Sequence, residues 1–172
     1  MRRCFVSMLL ALLLGVCGTA SAQPVPTRPK TVEGYFLLLP QKYFVRPTSV
    51  SQRRAWLRSD DSVLDIKNDF LEAGDYSRSV RVALFRHQGR ILVAVTDFYA
   101  PDASSNFSLL RYEGGSWKNV TRSLLPIAYN PRMSYDLPRR GTTIRVRPSD
   151  GDTTRNNYNL LWRGGKFQLQ RL

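Results

Sequence analysis

Two runs near the middle of the chain are apolar at almost every position. Val80, Val82 and Leu84 alternate with Arg81, Ala83 and Phe85, and Ile91, Val93 and Val95 alternate with Leu92, Ala94 and Thr96. A strand with one wet face alternates apolar and polar residues. Strands apolar on both faces belong in the middle of a sheet covered on both sides. His87-Gln88-Gly89 separates the runs and predicts the turn of a hairpin. A second hairpin is predicted from Phe107–Tyr112 and Trp117–Val120 around Glu113-Gly114-Gly115. A third comes from Asn157–Trp162 and Lys166–Leu172 around Arg163-Gly164-Gly165. Glycine suits these turns because tight hairpins need positive φ. Thr143–Arg147 reads as a further strand, with Ile144 and Val146 inward, ended by Pro148. Tyr99–Ser105 and Pro126–Pro138 read as loops.

Before the strands, Ser49-Val50-Ser51-Gln52 has the form of a capping box. It predicts a helix running to about Arg58. Val50, Trp56 and Leu57 would meet the core, and Arg53, Arg54 and Arg58 would lie mostly outward. Tyr35–Leu39 is an apolar run stopped by Pro40, either a first strand or the start of a short helix. The expected fold is mainly β: an antiparallel hairpin meander forming a sandwich or partial barrel, with one short N-terminal α-helix against one end. The three hairpins share leucines, an aromatic residue and a glycine turn. This similarity follows from hairpin chemistry, because a closed propeller needs about four or more four-stranded blades.

The N-terminus changes the picture of where this domain works. Arg2 and Arg3 precede an apolar run from Phe5 to Val16, and Ala20-Ser21-Ala22 supplies an A-x-A cleavage site. This is the order of a secretory signal peptide, and the run is too short to span a bilayer. The organisation read from the sequence is a signal at 1–22, a proline-rich extended leader at 23–31 and a single β-rich domain at 32–172. The expected location is periplasmic or secreted. Leu14-Gly15-Val16-Cys17 approaches a lipoprotein box, but Val16 is not the small residue such boxes want, so anchoring through Cys17 is the minor alternative. The arginine pair also echoes a twin-arginine signal. The very short charged region and strongly apolar core favour the general secretion route.

Cleavage would remove both cysteines, Cys4 and Cys17, and leave His87 as the single imidazole. Cysteine nucleophiles, cysteine–histidine zinc sites and, with His87 at a hairpin tip, a serine–histidine–acid triad then drop out. No cofactor or metal site is expected. The available acids for a glycosidase, Asp97, Asp102 and Glu113, show no pairing at the required separation. Asp60, Asp61, Asp65, Asp69, Glu72 and Asp75 read as a solvated face or hairpin rather than a calcium site, and Asp150–Asn156 as a plain turn.

The charge is strongly positive and uneven. The full chain carries +13, with only five lysines among its basic residues. Residues 23–75 contain 8 basic and 7 acidic residues, whereas residues 76–172 contain 16 and 6. Arginine forks suit carboxylates and phosphates. In the basic half, arginines mix with aromatics: Arg111, Tyr112 and Trp117 on one hairpin, Trp162 and Arg163 on another, and Arg139, Arg140, Arg145 and Arg147 around Tyr135. These ten residues are the candidate binding set. The competing reading puts the rings in the core, merely rimmed by arginine. The expected function is a non-enzymatic binding or accessory domain of the cell envelope. It would meet an acidic glycan, lipid head group or protein partner through an arginine–aromatic surface. Export argues against nucleic acid. The alternatives are a small carboxylate-dependent hydrolase or an inhibitor of an envelope-attacking enzyme, although a basic target would be repelled by this charge.

Three segments, Leu37–Phe44, Asp65–Leu71 and Leu84-Phe85-Arg86, together resemble a pattern in small exported bacterial proteins of unknown function. The resemblance covers about half of the mature chain and implies export and a β-rich fold. It carries no functional residue.

Overall fold

The alternation along the chain resolves into three layers. The computed structural model describes residues 28–149 and 157–171. The signal, both cysteines, most of the leader and the Asp150–Asn156 turn lie outside those residues. The described chain runs through α1 (Val32–Leu38), α2 (Val50–Leu57), β1 (Val63–Asp65), β2 (Phe70–Asp75), β3 (Arg78–His87), β4 (Arg90–Tyr99), β5 (Ser104–Glu113), β6 (Ser116–Asn119), α3 (Thr121–Leu124), β7 (Met133–Asp136), β8 (Thr143–Pro148), β9 (Tyr158–Arg163) and β10 (Lys166–Arg171). Strands β1 to β6 form one antiparallel meander in sequence order. Strands β7 to β10 form a second, four-stranded meander. The result is a sandwich of two sheets and not a closed barrel.

The central pair, β3 and β4, is covered on both faces, as its double apolar pattern requires. Val80, Val82, Leu84, Val93 and Val95 pack with Leu71, Leu110, Tyr35, Phe36 and Trp56 under the N-terminal helices. Ala83, Phe85, Leu92 and Ala94 pack with Phe107, Leu109, Ile144, Val146, Leu160 and Phe167 between the sheets. The helices therefore lie across a sheet face, and the expectation that the N-terminal helix sits against one end is corrected. An apolar face as wide as β2–β5 has to be covered along its length.

The predicted turns hold. Gln88-Gly89, Gly114-Gly115 and Gly164-Gly165 all adopt positive φ. This is the two-residue geometry that matches strand twist. The run at Tyr35–Leu39 resolves as the end of helix α1 and its C-cap Leu39, and α1 is capped at its start by Thr31, whose hydroxyl accepts from the Gly34 amide. The predicted second helix is α2, with the Ser49 hydroxyl accepting from the Gln52 amide. Two of its side chains reverse expectation. Val50 is exposed, and Arg53 is 3% exposed. Arg53 donates to the carbonyls of Phe36 (2.6 Å) and Leu39 (2.8 Å) at the end of α1. The Phe36 carbonyl also accepts from the Leu39 amide at 3.3 Å, so Arg53 adds a second donor at this helix end, and its positive charge complements the negative end of the helix. Burial pushes the Arg53 guanidinium below its usual pKa.

The predicted loop at Pro126–Pro138 contains β7. The acidic segment at 60–75 contains β1 and β2, with Leu71 and Ala73 buried. Gly74 on β2 permits close approach to β3. A Cβ there would fall 1.9 Å from the Arg78 carbonyl oxygen. Gly74→Ala is expected to cost about 1–3 kcal/mol through forced displacement of the β2–β3 turn. An unchanged midpoint in urea would contradict this.

Candidate functional site

One buried polar cluster ties the helical layer to the sheet. The side chains of Arg78 and Asp97 are 5% and 0% exposed. Arg78 Nε donates to Asp97 Oδ1 at 2.8 Å and a terminal nitrogen to Oδ2 at 2.5 Å. Arg78 also donates to the Thr48 hydroxyl (2.6 Å) and the Arg46 carbonyl (2.9 Å). Asp97 Oδ2 accepts from the Val45 amide at 2.7 Å. The guanidinium lies 5.5 Å from the Phe44 ring centroid and 5.3 Å from that of Trp56. Buried charges persist when paired and hydrogen-bonded in this way. The cluster holds Phe44–Thr48 against β3 and β4, so Asp97 is structurally engaged.

The other two acids considered for hydrolysis are also engaged separately. Asp102 meets Arg46 at 2.6 Å, and Glu113 meets Lys118 at 3.3 Å. The Ser104 hydroxyl, with its backbone amide and Arg46, holds the Asp102 carboxyl below the usual range. Each of the three thus has its own basic partner. Among the described residues no three His, Cys, Asp or Glu side chains converge on a metal-sized site. No helix among them is long and apolar enough to cross a membrane.

The ten candidate residues do not share one surface. Tyr112 and Trp117 belong to the helical side, where both pack on Tyr35 with ring centroids 6.5 and 6.1 Å away. The Trp117 indole donates to the Leu38 carbonyl. Tyr135 is buried between the sheets, stacked on Phe107 at 4.2 Å and 4°. Trp162 is also buried there, 5.7 Å from Phe85 and 5.0 Å from Phe167. Arg139 pairs with Asp65 at the β1 edge (3.2 Å), and Arg147 pairs with Asp136 (2.9 Å). Arg140, Arg145 and Arg163 are exposed.

Two clefts take up four of the ten candidates: Arg111 and Trp162 line one, and Tyr135 and Arg147 line the other. The first has a volume of about 180 Å³ and gathers Arg111 and Trp162 with His87, Arg90, Gly164 and Gly165. Strand alternation explains the gathering. Arg90 and Arg111 continue the face of Leu92 and Leu109, and His87 continues the face of Phe85, beyond the last core residues. No carboxylate lines this cleft, and neither Arg90 nor Arg111 has an ion pair among the described residues. His87 is half-buried here and not a fully exposed turn residue. Its ring approaches the β9–β10 turn so closely that a Cβ on Gly165 would lie 2.7 Å from Cδ2. Sequence reasoning missed Arg90 and the placement of His87. The register His87↔Arg90 was the available signal, since it sets both beside the strand ends.

The second cleft, about 260 Å³, lies at the opposite ends of the same strands. It is lined by Ser79, Arg81, Phe98, Tyr129, Tyr135, Asp136 and Arg147 among others. Arg81 meets Glu72 at 2.8 Å and Asp136 at 3.7 Å, so arginines and carboxylates balance there. Burial raises the hydroxyl pKa values of Tyr129, Tyr135 and, most strongly, Tyr158. No protein-family model, curated protein or solved structure matches this chain.

Proposed function

We propose that this chain is an exported, non-enzymatic binding domain of the cell envelope. Its contact site is the cationic cleft formed by His87, Arg90, Arg111 and the Gly164-Gly165 turn. The observation that carries this reading is the unneutralised pair Arg90 and Arg111, set beside a glycine turn in a cleft without carboxylates. Arginines so placed donate charge-assisted hydrogen bonds to sulfate, phosphate or carboxylate groups. The net positive charge of the chain draws a polyanion toward its surface. The signal-like segment at 1–22 supports export, and an acidic glycan or lipid head group is the ligand class that fits.

Retention on immobilised heparin tests it. Arg90→Gln/Arg111→Gln is compared with Arg54→Gln/Arg58→Gln, which removes the same charge from exposed positions on α2 and its C-cap. The cleft pair should weaken binding about tenfold or more, since each charged hydrogen bond contributes about 1.5–3 kcal/mol. The control pair should shift elution only slightly. Equal shifts would reduce the interaction to net charge and overturn the assignment.

A further inference from the structure

The second cleft carries different chemistry. Ser79 and His87 are 8 residues apart on β3, roughly 27 Å at ~3.4 Å per residue, so the two clefts are separate. The Arg81–Asp136 ion pair at 3.7 Å is too long for a hydrogen bond. Arg81 spends its Nε on Glu72, and Asp136 spends Oδ2 on Arg147 at 2.9 Å. The terminal N–H groups of Arg81 and Oδ1 of Asp136 therefore face each other with hydrogen-bonding capacity to spare. Phe98 stands at the cleft with 46% of its surface exposed.

We infer that this cleft is a binding site for one neutral saccharide ring. A hydroxyl both donates and accepts, so one ring hydroxyl accepts from Arg81 and donates to Asp136 across the gap. A fully ionised anion such as sulfate lacks the donor, and an ammonium lacks the acceptor. The balanced charges give no net attraction for an ion, whereas Ser79, Thr96, Ser105 and Ser134 line the walls with further hydroxyls. The exposed face of Phe98 offers an apolar surface to ring C–H groups. A volume of about 260 Å³ lies just under the ~300–1,000 Å³ of drug-sized ligand pockets, which suits a single ring. This site is independent of the cationic cleft, and neither assignment rests on the other.

The test is an NMR titration of the full mature chain. The probes are the methyl glycosides of glucose, galactose and N-acetylglucosamine, with inorganic sulfate as the ionic control. At least one glycoside should saturate with a Kd on the order of 1 mM. Its shifts should centre on Phe98, Ser105, Ser134 and Asp136, and sulfate should leave those amides unmoved. Phe98→Ala and Asp136→Asn should each weaken that binding about tenfold, while heparin retention stays unchanged. Phe98 is exposed, so its variant keeps the test decisive if Asp136→Asn does not fold. Absence of saturation by all three glycosides, shifts centred elsewhere, or full affinity in Phe98→Ala would overturn the inference.

Discussion

Asp97→Ala should cost about 3–5 kcal/mol of folding stability, measured as a shift of the urea midpoint. Removing one partner of a buried ion pair leaves the other charge desolvated and unpaired. Here that charge is Arg78, held between Phe44, Trp56 and the polar groups of Thr48 and Arg46. The loss should be local before it is global. The Val45 amide gives its hydrogen to Asp97, so its hydrogen exchange should speed up more than that of the amides of Val82 or Val93. The double variant Arg78→Met/Asp97→Leu should recover much of the loss, because apolar replacement of a whole buried pair is often near neutral. A single variant within about 0.5 kcal/mol of the parent would contradict the cluster's role in joining helices to sheet.

The second large effect is expected at Trp162. Trp162→Ala should destabilise by about 3–5 kcal/mol, the range for truncating a buried aromatic. The ring is 9% exposed, packs on Phe85 and Phe167, and its indole nitrogen donates to the Arg86 carbonyl at 3.4 Å. It belongs to the core between the sheets and only borders the cationic cleft. Trp162→Phe keeps most of the packing, so it should retain most of the stability and nearly all heparin retention. If Trp162→Ala melts like the parent but loses heparin binding, the ring is an exposed contact and its placement here is wrong.

These residues show which parts of the structure were legible. The β3–β4 pair, the glycine turns and the Ser49 cap depend on near neighbours, and short-range patterns report them. Arg53 was not legible. Helical periodicity puts arginine outside, and its burial depends on the carbonyls of Phe36 and Leu39 in another helix. Strand β2 was hidden because Glu72 and Asp75 obscured the inward Leu71 and Ala73. Strand β7, four residues within a proline-flanked segment, carried too short a pattern. The Arg78–Asp97 pair was legible in principle. Once the turn fixes His87 opposite Arg90, Val80 falls opposite Asp97. Arg78 then shares the buried face of Val80, diagonally across from that carboxylate. The candidate binding set failed to converge for a related reason. Composition places arginines and rings near each other in sequence, but alternation sends Tyr112 and Arg111 to opposite faces of β5.

The most direct test of the account is an NMR titration with a short sulfated heparin oligosaccharide. The account predicts shifts concentrated on the side chains of Arg90 and Arg111, the Trp162 indole N–H and the Gly164 and Gly165 amides, all fading together as salt rises. Shifts spread evenly over Arg139, Arg140, Arg145 and the other exposed arginines, with that cleft no more affected than the rest, would contradict it.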